Sequence, residues 1–287
     1  MGQENRKKKM NPVSIICMLI GVVCIVIAGC GIYGIYKDYK VGDDIYMEAE
    51  SEFVQIHIPT EEPSDDIETE DDAVEDKVNK EVGYKGPWYE RATVDVAGLK
   101  AQYPDVVGWL LFEDCKISYP IMHAASNDTY LYTAFNGVES IAGSIFVEAT
   151  HSGDFSDKHT LIYGHNMKNG SMFGRLHYYR RSNEYYEEDW SRQYFQIFTE
   201  NEILRYKIFA YQEVSIENFI YTEFFTSATD LGNRLLENSR IKPDVTIPED
   251  GRIITLSTCT AAEENRFVVS AVLVERYSLT DNTLITE

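Results

Sequence analysis

The longest apolar run lies near the N-terminus. Residues 13–36, "VSIICMLIGVVCIVIAGCGIYGIY", hold 24 positions without a charge. At ~1.5 Å per helical residue the run is long enough to cross the ~30 Å hydrocarbon layer of a bilayer. Farther along, apolar residues come in short stretches. "YERATVDVAGLKAQYPDVVGWLLF" predicts a helix over Val94–Gln102, ended by Pro104, and a strand over Val107–Phe112. Seven β-like runs follow: "KISYPIM", "GSIFVEA", "HTLIYGH", "YFQIFTE", "ILRYKIFAYQEV", "RIITLSTC" and "RFVVSAVLVERY". Turn sequences such as Asn136-Gly137 and Lys168-Asn169-Gly170 separate them. Many short strands without βαβ alternation predict an antiparallel barrel or sandwich. One helical stretch, Ser215 to Arg240, interrupts the strands, with Leu231, Leu235 and Leu236 at helical spacing. It either forms a lid or one wall of a groove, or simply packs on the barrel.

Charge sets the orientation. "RKKK" (Arg6 to Lys9) precedes the apolar run, while Lys37 and Lys40 after it are mixed with Asp38, Asp43 and Asp44. The positive-inside rule then leaves residues 1–12 as a cytoplasmic tail, 13–36 as a single membrane span and the remainder outside the cell. The run is too long for a cleaved signal peptide. "IAGC" (Ile27 to Cys30) has the shape of a lipoprotein signal, but "GIYGIY" continues the apolar run past Cys30, which favours an uncleaved anchor. Either reading puts the globular part on the outer face.

Residues 43–81 carry sixteen Asp and Glu against Lys77 and Lys80, a net of −14 within a chain total of −21. So charged a stretch with few aromatics predicts a solvated spacer, bounded at 37–84, with the folded domain over 85–287. The chain has no basic footprint for nucleic acid. Only Cys115 and Cys259 fall outside the apolar run, fewer than an exported domain held by disulfides would use. Cys115 reads as a packing residue. No His/Cys spacing suits zinc, no carboxylate cluster suits calcium and no phosphate loop follows a strand, so neither metal nor cofactor is expected.

The chemistry concentrates in "IITLSTCTAAEENRFVV". In the first strand Ile253, Thr255, Ser257 and Cys259 face one side, and Ile254, Leu256 and Thr258 the other. Cys259 ends that strand, and Arg266 opens the next after the turn "TAAEEN". A guanidinium beside a thiol favours its thiolate, and beside a tetrahedral intermediate it balances an oxyanion. A nucleophilic thiol also needs a proton acceptor. Among His123, His151, His159, His165 and His177, the sequence "HTLIYGHNMKNGSMFG" sets His165 at the tip of a strand. His151, His159 and His177 read as solvated.

"TLSTC" followed by an arginine, with "YGHN" 94 positions before the cysteine, resembles the sortases, membrane-anchored cysteine transpeptidases of Gram-positive bacteria. "YPDVVGWL", "AGSIFVE", "FSDKHTLIYGHNMKNGSMFG" and the helical stretch before the last strands resemble class B in particular, over roughly residues 88–277. The resemblance implies an eight-stranded sortase-type β-barrel with N-terminal helices and a helical insertion before the last two strands. It implies Cys259 as nucleophile, His165 as general acid/base, Arg266 as third catalytic residue and Ser257 in contact with the substrate backbone. The implied substrates are exported proteins with a C-terminal sorting motif of the LPxTG or NPxTN type. The implied acceptor is an amine of a cell-wall precursor or a pilin. Two alternatives stand beside it: a cysteine endopeptidase that uses the same residues with water as acceptor, and a non-catalytic membrane-tethered binding module.

Overall fold

The computed structural model describes residues 12–57, 86–181, 186, 190–260, 262 and 264–287. The basic tail up to Asn11 and the acidic stretch from 58 to 85 lie outside the described residues.

Helix α1 (Pro12–Phe53) runs 42 residues without a break. Between Cys17 and Val41 its side chains are largely exposed, and then a stripe turns inward: Gly42, Tyr46, Ala49 and Phe53 are buried. Steps of four, three and four residues put these on one helix face, leaving Asp44, Glu48 and Glu52 exposed. This corrects the expected spacer at 37–84, whose first part is a packed amphipathic helix. Charge counting missed it because the acidic residues occupy the solvent side of a stripe only four residues long. Strand β1 (Val54–Ile56) follows α1 directly and pairs antiparallel with β2 (Ala92–Val94). The acidic stretch therefore connects two paired strands, and the apolar helix enters the domain through α1.

Helix α2 (Val96–Gln102) starts two residues later than the pattern indicated, because Val94 belongs to β2. Asp95 caps it, its side chain accepting from Gly98 N at 2.8 Å. Eight strands then close a barrel: β3 (Val106–Phe112), β4 (Ile117–Met122), β5 (Ile145–Val147), β6 (His159–Tyr163), β7 (Tyr194–Phe198), β8 (Glu202–Ser215), β9 (Ile253–Cys259) and β10 (Asn265–Ser278). The order is β10-β8-β7-β3-β4-β5-β6-β9, and β9 pairs back to β10. A further strand, β11 (Thr283–Thr286), extends the edge of β10, and a short helix α3 (His177–Arg181) lies between β6 and β7. The barrel is not wholly antiparallel, as β4–β5 and β6–β9 are parallel pairs. Parallel neighbours need long connections, and the one from β6 to β9 contains β7, β8 and the helical insertion.

The alternation read in β9 is realised. Ile254 and Leu256 join the barrel interior with Trp109, Phe195 and Tyr206, while Ile253 faces out. Outside, Leu231 and Leu235 of α5 (Ala228–Glu237) pack with Ile253, Phe209, Val268 and Val272. Each such leucine contributes about 1.5–3 kcal/mol by leaving water, which fixes the insertion against the barrel wall. The short helix α4 (Phe219–Thr222) before it is held in place at the same wall. Cys115 is fully buried, in agreement with a packing role.

The outward face of β6, β9 and β10 carries a buried polar chain. His159 Nε2 lies 3.0 Å from Thr255 Oγ1, which lies 2.9 Å from Ser270 Oγ. The Phe225 ring covers His159 edge-on at 5.7 Å. His159 is therefore a core residue and not the solvated one its polar neighbours in sequence implied. Burial, and then the neighbouring His151, push its pKa from 6.5 down to about 3. The folded chain thus refuses a proton that the unfolded chain accepts below 6.5, so stability falls as pH drops from 6.5 towards 3. Thermal melts of the full chain in detergent micelles are expected to be flat above about pH 7. The His159→Gln variant is expected to show a shallower loss between about pH 6.5 and 5, where carboxylates titrate least. An unchanged slope would refute this assignment.

Candidate active site

Strands β6 and β9 run parallel in register from His159↔Ile253 to Tyr163↔Ser257. Their coupling continues one residue further: Gly164 N donates to Ser257 O at 3.2 Å, and Thr258 Oγ1 donates to Gly164 O at 2.8 Å. The next residues on the two strands are His165 and Cys259. On the other side, β10 pairs antiparallel with β9 so that Arg266 stands directly opposite Cys259. Directly opposite residues in such a pair project to the same face with Cα atoms ~4.5–5.5 Å apart. Three neighbouring strands thus deliver the predicted imidazole, thiol and guanidinium to one rim of the barrel. All three residues are half-buried, and Cys259 is a free thiol.

Local structure fixes His165. Gly164 lets the chain turn outward at the end of β6, since a Cβ there would lie 2.6 Å from the buried Phe173 ring. The turn closes through Phe173 N donating to His165 O at 2.9 Å and through Gly170 at φ 86. His165 Nε2 lies 2.6 Å from Leu131 O. A carbonyl only accepts, so Nε2 carries the proton of that bond and Nδ1 is the nitrogen left for exchange. The Tyr132 ring lies over the imidazole, 5.4 Å between centroids and 30° between planes. Asn166 Nδ2 donates to the Cys259 carbonyl at 2.8 Å, tying the His165 loop to the end of β9.

Ser257, expected to meet substrate, is buried beneath the helical insertion. Its Oγ lies 2.8 Å from the hydroxyl of Tyr221 on α4. Burial raises the Tyr221 phenol to about 12, so it stays protonated; the Arg266 charge pulls the other way. Tyr221 is nearly parallel to Tyr163, with planes 13° apart and centroids at 6.4 Å. Tyr163 donates to Glu148 Oε2 at 2.8 Å, and Asn127 Nδ2 donates to Glu148 Oε1 at 2.8 Å. Asn127 in turn accepts from Ala149 N through Oδ1. Burial and the Glu148 carboxylate both hold the Tyr163 phenol well above its ordinary range. The rim is therefore bordered by Tyr132 on the His165 side and by a Tyr163–Tyr221 pair on the Ser257 side.

His151 is half-buried, with Nδ1 accepting from Leu161 N at 3.0 Å, and His177 bonds to Gly174 O; neither is simply solvated. Tyr132, Tyr163, Tyr221, Glu148 and Asn127 are not singled out by residue type or spacing in the sequence. Tyr163 and Glu148 lie inside quoted motifs, so their position carried a signal. Tyr132 and Tyr221 carried none in a chain with 20 tyrosines.

A thiol, an imidazole and a guanidinium on one rim have the chemistry for acyl transfer through a covalent intermediate. The Sortase domain family matches residues 111–274. The chain is 36% identical over 180 residues to a sortase B of Listeria monocytogenes, spanning 60% of this chain and 71% of that one. It is 27% identical over 184 residues to a sortase B of Staphylococcus aureus, again spanning 60% and 71%. The crystal structure of sortase B from B. anthracis in complex with AAEK1 superposes with a TM-score of 0.62 at 26% identity, covering 83% of this chain and 99% of that one.

The Tyr221–Ser257 contact makes a measurable claim. Tyr221→Phe and Ser257→Ala each strip a buried hydroxyl of its partner and are expected to destabilise by about 1–3 kcal/mol. The double variant is expected to lose about 1 kcal/mol less than the sum of the two. Denaturant unfolding of the four proteins measures this coupling, and strict additivity would mean that the contact contributes nothing.

Proposed function

This chain belongs to the sortase family as a class B cysteine transpeptidase, and from that premise we propose that it joins exported proteins to a surface amine through a thioester on Cys259. The substrate in this reading is a C-terminal sorting motif of the LPxTG or NPxTN type. Cys259 Sγ adds to the carbonyl carbon of the motif's threonine, and Arg266 balances the charge that moves onto oxygen. Collapse of the tetrahedral intermediate breaks the C–N bond that follows. His165 gives the leaving amine its proton through Nδ1, because Nε2 is held by Leu131 O. An acceptor amine from a cell-wall precursor or a pilin then attacks the thioester, returns a proton to His165 and frees the thiolate.

The observation that carries this reading is the register: Arg266 opposite Cys259 on β10, and β6 delivering His165 on the other flank. The Tyr163–Tyr221 pair and Tyr132 border the path of the peptide. Ser257 serves substrate binding by holding Tyr221 in place, since its own hydroxyl is buried under that ring. Among the described residues one helix, α1, is long and apolar enough to cross a membrane. In our reading it anchors the enzyme with its N-terminus in the cytoplasm and the barrel outside. Tethering then raises the local concentration of membrane-held substrates.

The decisive measurement is the mass of the acyl-enzyme formed from a panel of sorting peptides. Wild type is expected to gain the mass of the acyl fragment, and Cys259→Ala is expected to gain none while keeping its melting behaviour. Turnover by Cys259→Ala at the wild-type rate would refute the assignment. Arg266→Lys keeps the charge but loses the planar donor fork, and is expected to lower kcat/KM by about 10²–10³-fold.

A further inference from the structure

Helix α1 is continuous from the apolar run into the barrel contact, so the position of the barrel above the bilayer is set by helix geometry. A 24-residue run is ~36 Å long against a ~30 Å hydrocarbon layer, which brings the outer hydrocarbon edge near Gly34. Tyr33, Tyr36 and Lys37 then lie at headgroup level, where such residues collect. Gly42, the first buried residue of α1, stands ~11–12 Å beyond that edge, and the headgroup layer occupies the first ~5–7 Å.

The residues beside Gly42 belong to the loop between β4 and β5. A Cβ on Gly42 would lie 3.1 Å from Ser140 Oγ and 3.3 Å from Ala142 Cβ, so the loop is pressed against the helix at this level. It is also rigidly held. Tyr46 donates to Gly143 O at 2.5 Å, the Phe135 ring packs 5.6 Å from Tyr46, and Ser144 Oγ donates to Thr133 O at 2.8 Å. Yet Tyr132, Val138 and Ile141 of this loop are 58%, 44% and 39% exposed. In a chain of net charge −21, positions 130–144 carry one charge, Glu139. An ordinary helix tilt of ~20° lowers a point ~10 Å from the axis by ~3 Å, about half of the remaining gap to the headgroups.

We propose that Tyr132, Val138 and Ile141 form a second membrane contact, in which the β4–β5 loop rests on the lipid interface of the outer leaflet. The proposal rests on α1 being a membrane anchor, and it gives the active site a direction. Leu131 O and the Tyr132 ring are the groups that hold His165. The His165 end of the rim therefore faces the headgroup layer, and a sorting signal or a lipid-borne amine enters from the membrane side.

Photocrosslinking tests this on the full chain in phosphatidylcholine/phosphatidylglycerol nanodiscs, with benzoylphenylalanine placed singly at positions 25, 138, 141 and 284. Position 25 lies within the apolar run, and position 284 is an exposed leucine on β11. Lipid adducts read by mass spectrometry are expected at 25, 138 and 141, at least about fivefold above position 284. Adducts at 25 but only the position-284 level at 138 and 141 would overturn the loop contact and leave the anchor standing. No adduct at 25 would overturn the anchor reading and the proposal with it.

Discussion

The parallel pairing of β6 with β9 is the constraint on which the site depends. Because the two strands run the same way, their C-terminal ends share a rim, and His165 leaves β6 where Cys259 ends β9. Closure of the barrel by β9 and β10 adds Arg266 at the same height. A slip of one residue in either pairing would send the affected side chain to the opposite face. The buried hydroxyl contacts between strands, Thr255 to Ser270 and Thr258 to Gly164 O, are short-range bonds that such a slip would leave unpaired. The same register thus supports stability and brings the three residues to one rim.

The helical insertion supplies what the barrel lacks. Leu231 and Leu235 bind α5 to the outer wall, which places α4 over the end of β9 and Tyr221 on Ser257. Apolar burial fixes the insertion, and one hydroxyl pair orients it at the site. Of the alternatives expected for this segment, packing on the barrel is the one its buried leucines realise. Glu148 acts comparably on the other side, since it holds Tyr163 and is itself held by Asn127.

Helix α1 joins the apolar run to the folded domain without a break. Gly42 and Tyr46 of its inward stripe pack against the loop that positions His165, and β1 then ties the chain to β2. An enzyme on a loose acidic tether would sample many orientations, whereas a continuous helix restricts them. On this arm Asp44, Glu48 and Glu52 lie on the solvent side.

Much of this was legible in local pattern. Short apolar runs set apart by turn sequences marked the eight barrel strands, Pro104 marked the end of α2, and the strand-end positions of Cys259, His165 and Arg266 singled them out. The stripe on α1 and the burial of His159 were not legible, because four apolar residues among acids, or one imidazole among polar neighbours, look the same whether covered or bare. Partners distant in sequence decided those cases: Ser140 and Ala142 against Gly42, Phe225 over His159, Tyr221 over Ser257. The sequence by itself determined which segments become strands and which side chains stand at their ends, because steric preference and side-chain alternation act between near neighbours. Only the tertiary structure decided which ends meet, because the register of strands about ninety residues apart is set by burial summed over the whole barrel.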